Sequence, residues 1–470
     1  MLFSSIFFLV IFLPVTLILY YIVPWKAKNL LLLIASLIFY AWGEPVYVLL
    51  MMFSIAFNYF AGIQLGDLYA LREEGRRRFV FIFTVVVDLG LLAFFKYFGF
   101  FVENINSIFG SDIKAANVSL PIGISFYTFQ ILSYVIDVYW GKVRVQKNII
   151  NFGAYITMFP QLIAGPIVRY EDIERQLKKR TISIDKIADG TAWFIKGLGK
   201  KVLLANNAGL LFDAVFATAA DERAVFTTWL GVVAYTFQLY FDFSGYSDMA
   251  VGLGKMMGFE FVENFNYPYI SESATEFWRR WHISLGTWFR EYLYIPLGGN
   301  RNGTAKTIRN TMIVWLLTGL WHGAAWNFIL WGIYYGILIV LEKYAIGNVL
   351  KKLPAFLRHL YAMVVFTFGW LLFAMTDLSM IGETIKSGAG GFGTAFFDST
   401  SLYYLSTNLV LLIICAACST PLVKILFERL SKRAGKTGRV IGVLCMALVF
   451  VASMAFLVNA TYNPFLYFRF

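Results

Sequence analysis

The chain has 470 residues, of which 59% are hydrophobic and only 14% charged, and its mean hydropathy is +0.66. A soluble fold cannot hide that much apolar surface, so composition implies an all-α polytopic membrane protein. The formal charge of +12 does not point to nucleic acid, because the Lys and Arg fall in short blocks between apolar segments, as membrane topology requires.

In chain order, residues 2–23 are long enough to span, about 20 apolar residues being sufficient, and no small-x-small cleavage site follows. A retained helix is expected there, with Lys26 and Lys28 placing the next loop in the cytoplasm. Residues 30–66, broken at Gly43-Glu44-Pro45, read as a hairpin that returns to the basic loop 72–78. Residues 79–101 lead out to a polar stretch, 103–119, expected outside, and residues 121–140 come back. Between basic loops, residues 152–180 carry Pro160, Gly165 and Pro166 inside an apolar run. That pattern predicts a re-entrant element, whose irregular backbone is tolerated only where protein or a cavity surrounds it.

Residues 191–217 and 225–254 read as the next two crossings, the second carrying Asp242 and Asp248 in an apolar run. Carboxylates in such a run face the interior or a water-filled cavity, or else cap a broken helix or hold a hydrogen-bond network. After residues 264–331, the spans 360–375, 402–422 and 440–458 are separated by a Gly-rich outer loop, 377–401, and a basic inner block, 424–439. Cys415 and Cys418 form a C-x-x-C without a second pair or a nearby histidine, so packing is the better reading and no metal site is expected.

Residues 264–331 hold two of the three histidines, His282 and His322, each directly behind a tryptophan. Histidine is the side chain that exchanges a proton near neutrality, and in an apolar span it needs a task or a partner. From Arg309 to His322 a helix covers roughly 20 Å, most of a bilayer core, so His322 is expected well inside the membrane near a turning point. Its setting, GLWHGAAWNFILWG, suits a general base in a dry chamber and equally suits a histidine hydrogen-bonded across helices. Around His282, helical spacing would put Glu276, Arg279 and His282 on one face, fit to grip an anion at the membrane interface; a purely structural role is the competing reading. His359, beside Arg358, reads as interfacial and inert.

MFPQLIAGPIVRY, QLYFDFSGYSDMAVGLG, NFNYPY, FWRRWHISLGTWFREYLYIPLGGNR and GLWHGAAWNFILWG together resemble the membrane-bound O-acyltransferase (MBOAT) family, over nearly the whole chain. More narrowly, they look like its bacterial branch that includes alginate and peptidoglycan O-acetylation proteins and the teichoic acid D-alanyl transfer protein. The resemblance implies a single domain over residues 1–470, a funnel of about ten to twelve tilted and re-entrant helices around a transmembrane tunnel. It places the family's invariant histidine on His322 and the second histidine on His282. Trp321, Asn327, Asp242 and Arg279 are then expected to line the substrate passage. The implied donor is a cytoplasmic acyl thioester, acetyl-CoA or a carrier-protein thioester, and no tightly bound cofactor is expected. The implied recipient is an extracellular or membrane-anchored acyltransferase partner that passes the group to a cell-surface polysaccharide.

The tail 462–470 ends in Phe465-Leu466-Tyr467-Phe468-Arg469-Phe470, similar to the F-x-Y-F-x-F ending of this branch. The resemblance implies that Tyr467 is a transient acyl carrier, whereas the residues alone favour an aromatic anchor at the membrane edge. D-alanyl transfer is the alternative within this class, and acetyl is favoured because the tyrosine motif is fused to the chain. A transporter or flippase using Asp242, Asp248 and the histidines is the alternative from another class, disfavoured by the lack of two matching halves.

Overall fold

The computed structural model describes residues 1–114, 118–459, 462–464 and 466. Among them there is helix and no strand. Among the described residues, six helical runs are long and apolar enough to cross a membrane: Tyr47–Ala70, Glu74–Phe109, Trp326–Lys352, Ala355–Ala374, Ser399–Cys418 and Leu422–Asn459. The protein is therefore an all-α polytopic membrane protein, and the chain divides into two compact units.

The first unit comprises residues 1–194 and 247–262. Its helices are α1 (Leu13–Ile22), α2 (Lys28–Ala41), α3 (Tyr47–Ala70), α4 (Glu74–Phe109), α5 (Ile124–Trp140), α6 (Ile149–Thr157), α7 (Phe159–Leu162), α8 (Tyr170–Lys178) and the first part of α9 (Ile184–Gly199). The turn at Gly43-Glu44-Pro45 separates α2 from α3, as a hairpin requires. Residues 103–109, expected in an outer loop, instead extend α4 to Phe109, and the helix stops at Gly110 with φ +62°. Glycine adopts this left-handed closing geometry without a Cβ penalty, which is why the helix ends there rather than at the first polar residue. The segment with Pro160 is broken into α6, α7 and α8 and is buried in this unit. Its freed backbone is satisfied locally: Phe159 N–H donates to Ser36 Oγ at 3.0 Å, and the Gln161 side chain donates to Tyr155 C=O at 2.6 Å. A Cβ on Gly165 would lie 2.5 Å from Gln161 Cα, so only glycine fits this turn. Arg180, beyond α8, donates to Tyr20 Oη at 2.9 Å, Asn29 Oδ1 at 2.8 Å and Met257 C=O at 3.3 Å, tying four stretches of the unit together.

The second unit comprises residues 195–246 and 263–470. After the end of α9 it contains α10 (Asn206–Phe216), most of α11 (Val225–Met256), α12 (Ala274–Arg280), α13 (Ile283–Phe289), α14 (Thr304–His322), α15 (Trp326–Leu341), α16 (Gly347–Lys352), α17 (Ala355–Ala374), α18 (Leu378–Gly388), α19 (Ser399–Cys418) and α20 (Leu422–Asn459). Two expected loops are helical. Within 377–401, Asp377 caps α18 by accepting from Ser379 N–H at 2.8 Å, and the basic block 424–439 lies in α20, which kinks at Gly435 with φ +53°. Charge identifies the side of a membrane but does not stop a helix, since Lys and Arg are good helix formers. The interior of this unit is aromatic: Trp278 packs on Trp315 (4.9 Å between ring centres), Trp331 (5.2 Å) and Tyr335 (4.8 Å), while Trp281 packs on Trp370 (4.7 Å).

Candidate functional site

His322 is the last residue of α14; Gly323 then turns the chain into extended backbone toward α15. Small residues make this hairpin tight. A Cβ on Gly332 would lie 2.5 Å from Trp315 C=O, and one on Gly319 would run into Phe328 C=O. The close crossing fixes where α14 ends and so where its terminal imidazole lies. That ring is 5% exposed and walled by Trp321, Trp331 and Phe373, with ring centres 5.0, 5.1 and 5.1 Å away. Asn327 fixes one of these walls. Its amide donates to the carbonyls of Leu372 (3.2 Å) and Phe373 (3.4 Å), satisfying the open end of α17.

His282 does not lie on the helix face that its spacing suggested. Helix α12 ends at Arg280, Trp281 is extended, and His282 itself takes a left-handed conformation, φ +45°, before α13 begins. For a residue with a Cβ this conformation costs on the order of 1–3 kcal/mol, so surrounding contacts must hold it. Asn264 supplies them. Its Oδ1 accepts from Ser284 N–H at 3.1 Å and Ser284 Oγ–H at 2.9 Å and lies 3.2 Å from His282 Nδ1, while its carbonyl accepts from Ile283 N–H at 3.0 Å. The backbone donor identifies the Asn264 atom as oxygen, and an oxygen acceptor requires the proton on His282 Nδ1. The neutral ring therefore carries its lone pair on Nε2, which is buried and has no hydrogen-bond partner among the described residues. Trp321 is shared by the two histidines, 6.0 Å from the His282 ring centre and 5.0 Å from that of His322.

This geometry separates two substitutions of His282. Asparagine keeps a polar group near the Nδ1 position, and glutamine keeps one near Nε2. If the lone pair at Nε2 matters for transfer, His282→Gln retains more acyl-transfer activity than His282→Asn. Equal residual rates in membranes of matched protein content would assign His282 a structural role only.

Arg279 and Arg280 part company at the end of α12. Arg280 pairs with Glu276 at 2.9 Å, whereas Arg279 is exposed and lines a cavity of about 1010 Å³ with Lys343, Lys351, Arg358, Tyr294 and Trp315. At its rim Arg358 donates to Glu272 at 2.6 Å, which holds that carboxyl below the usual carboxylate range. Trp315, in the cavity wall, packs 6.0 Å from Trp331, which in turn touches His322. Glu342, buried in a π-helical turn, accepts from the N–H groups of Ala274 (2.6 Å) and Thr275 (2.8 Å), so α12 is held by a carboxylate at its positive end.

Asp242 is paired rather than open to a passage. It meets Lys201 at 2.6 Å, with both side chains 3% exposed, and its Oδ2 accepts from Leu466 N–H at 2.9 Å. A Cβ on Gly245 would lie 2.7 Å from Gly197 C=O, a close approach of α11 to the end of α9 that brings Lys201 within reach. Sequence reading passed over Lys201 and Asn264. A lysine pair inside the apolar run 191–217 was the available signal for the first. The second is a long-range contact with none. Asp248 is buried in the first unit. Tyr467 lies outside the described residues, directly after the docked Leu466.

A multi-pass helical protein that sets two buried histidines among tryptophans is the class defined by fold and site. Residues 142–382, which include both histidines, match the MBOAT, membrane-bound O-acyltransferase family. The chain is 47% identical over 384 residues to the probable alginate O-acetylase AlgI of Pseudomonas aeruginosa, covering 81% of this chain and 73% of that one. It is 41% identical to the probable alginate O-acetylase AlgI of Pseudomonas putida across 100% of both chains. With the peptidoglycan O-acetyltransferase of Helicobacter pylori it shares 34% identity, over 86% of this chain and 82% of the other. The chain belongs to the membrane-bound O-acyltransferase family, as an enzyme of the bacterial cell membrane.

Proposed function

We propose that this enzyme moves an acetyl group from a cytoplasmic thioester, acetyl-CoA or a carrier-protein thioester, toward hydroxyl groups of a cell-surface polysaccharide. Relatives named for O-acetylation of alginate and of peptidoglycan support both the acyl group and the acceptor class. The cavity bearing Arg279, Lys343, Lys351 and Arg358 suits the phosphates or acidic surface of such a donor, and Lys343, Lys351 and Arg358 fall in a basic stretch, with Lys352, that the positive-inside rule assigns to the cytoplasm. His322 acts as general base on the phenol of Tyr467. The phenolic oxygen attacks the thioester carbonyl, a C–O bond forms, the C–S bond breaks, and the imidazolium returns the proton to the leaving thiolate. The aryl acetate then gives its acetyl to a hydroxyl outside, on the polymer or on a membrane-anchored partner acyltransferase, and the phenol is restored.

A phenol has a pKa of about 10 and needs such a base to react near neutrality. The observation that carries the reading is that Leu466, one residue before Tyr467, is held by Asp242 in the same unit as His322. The pairing of Asp242 with Lys201 also argues against ion transport at this carboxylate, because its negative charge is already balanced by a buried ammonium. Tyr467→Phe is expected to insert normally and to stop the passage of acetyl label from donor to polymer. Label arriving at the wild-type rate would remove the tyrosine from the pathway. D-alanyl transfer would follow the same steps, and the mass carried by the tail distinguishes the two.

A further inference from the structure

The end of the chain is seated by two buried charges that touch its backbone. Lys201, in the π-helical turn Lys200–Ala205, and Asp242, on α11, form an ion pair of 2.6 Å with both side chains 3% exposed. At that depth the protons and lone pairs not used within the pair must be satisfied by something else. Here the chain terminus uses them. Asp242 Oδ2 accepts from Leu466 N–H at 2.9 Å, and the Lys201 ammonium donates to the carbonyl of Pro464. Asn206 adds weaker contacts, its amide 3.4 Å from Tyr462 C=O and 3.3 Å from Asn463 Oδ1. The partners at 462, 464 and 466 are backbone groups, and they alternate along the segment.

We propose that Lys201 and Asp242 are positioning residues, a clasp that reads the backbone of the C-terminal segment and so fixes its register. Backbone groups at 462, 464 and 466 set the register under this arrangement, and with it the distance from the clasp to the next residue. The consequence for catalysis rests on Tyr467 being the acyl carrier; the docking itself does not. The bland alternative is that the pair merely joins the π-turn to α11.

Two variants of the full chain separate these readings. Leu466→Pro removes the donated N–H and leaves the ion pair intact. The exchange Lys201→Asp with Asp242→Lys keeps an ion pair but turns a carboxylate onto the Pro464 carbonyl and an ammonium onto Leu466 N–H. In detergent, carboxypeptidase Y should remove residues 468–470 from both variants about tenfold faster than from wild type, the factor for losing one hydrogen bond to a charged group. Digestion of Leu466→Pro at the wild-type rate would overturn the clasp even if the exchanged pair does not fold. A tail released in Leu466→Pro while acetyl transfer continues unchanged would keep the clasp and discard the relay. Transfer and release falling together supports both.

Discussion

Replacing His322 by alanine is expected to leave an inserted, folded protein whose acetyl transfer is lower by about 10²–10⁴, the usual contribution of a positioned general base. The imidazole ends α14 among Trp321, Trp331 and Phe373, and none of these rings can accept a proton from a phenol. Truncation also opens a small void between the rings, so folding has to be followed independently of activity. Retained membrane yield and a single elution peak, together with lost acetylation of the polymer, is the predicted combination. His322→Gln, which fills more of the void without restoring a base, should be as inactive as alanine but closer to wild type in thermal stability. An active alanine variant would return His322 to a packing role.

The second large effect concerns a residue with no chemistry of its own. Gly319→Val would force side-chain atoms into the Phe328 carbonyl, and backbone cannot swing aside as a flexible side chain can. Helices α14 and α15 must then separate, at about 1–3 kcal/mol or more, carrying His322 away from Phe373 and Trp331. Thermal stability and transfer should fall together, although every polar group remains. Gly90→Ala and Gly99→Ala on α4, where a Cβ meets nothing within 4 Å, are the controls and should be neutral or slightly stabilising. A Gly319→Val protein with wild-type stability would show that the hairpin tolerates a wider crossing and that His322 is not fixed by it.

The apolar spans were legible because lipid imposes one rule on them all, that backbone polar groups be satisfied within the helix. The break at Pro160 was legible for the same reason, since proline removes a donor that an isolated span cannot lose. Where helices end was less so. The stretch from Ala274 to Phe289 keeps a helical pattern, yet it is split at His282, because the contacts holding that turn come from Asn264, 18 residues earlier. Helix α18 hid in a glycine-rich loop, announced only by the cap Asp377. The two histidines stood out by their apolar surroundings. The partner of Asp242 did not, because Lys201 and the tail reach it from 41 and 224 residues away.

In the proposed transfer the acyl group rests for a time on Tyr467. Mass spectrometry of the C-terminal peptide from actively acetylating membranes, in wild type and His322→Ala, tests this most directly. One acetyl group is expected on Tyr467 in the wild type and none in the variant. A peptide of unmodified mass in the wild type while the polymer is being acetylated, or one equally acetylated in both proteins, would contradict it.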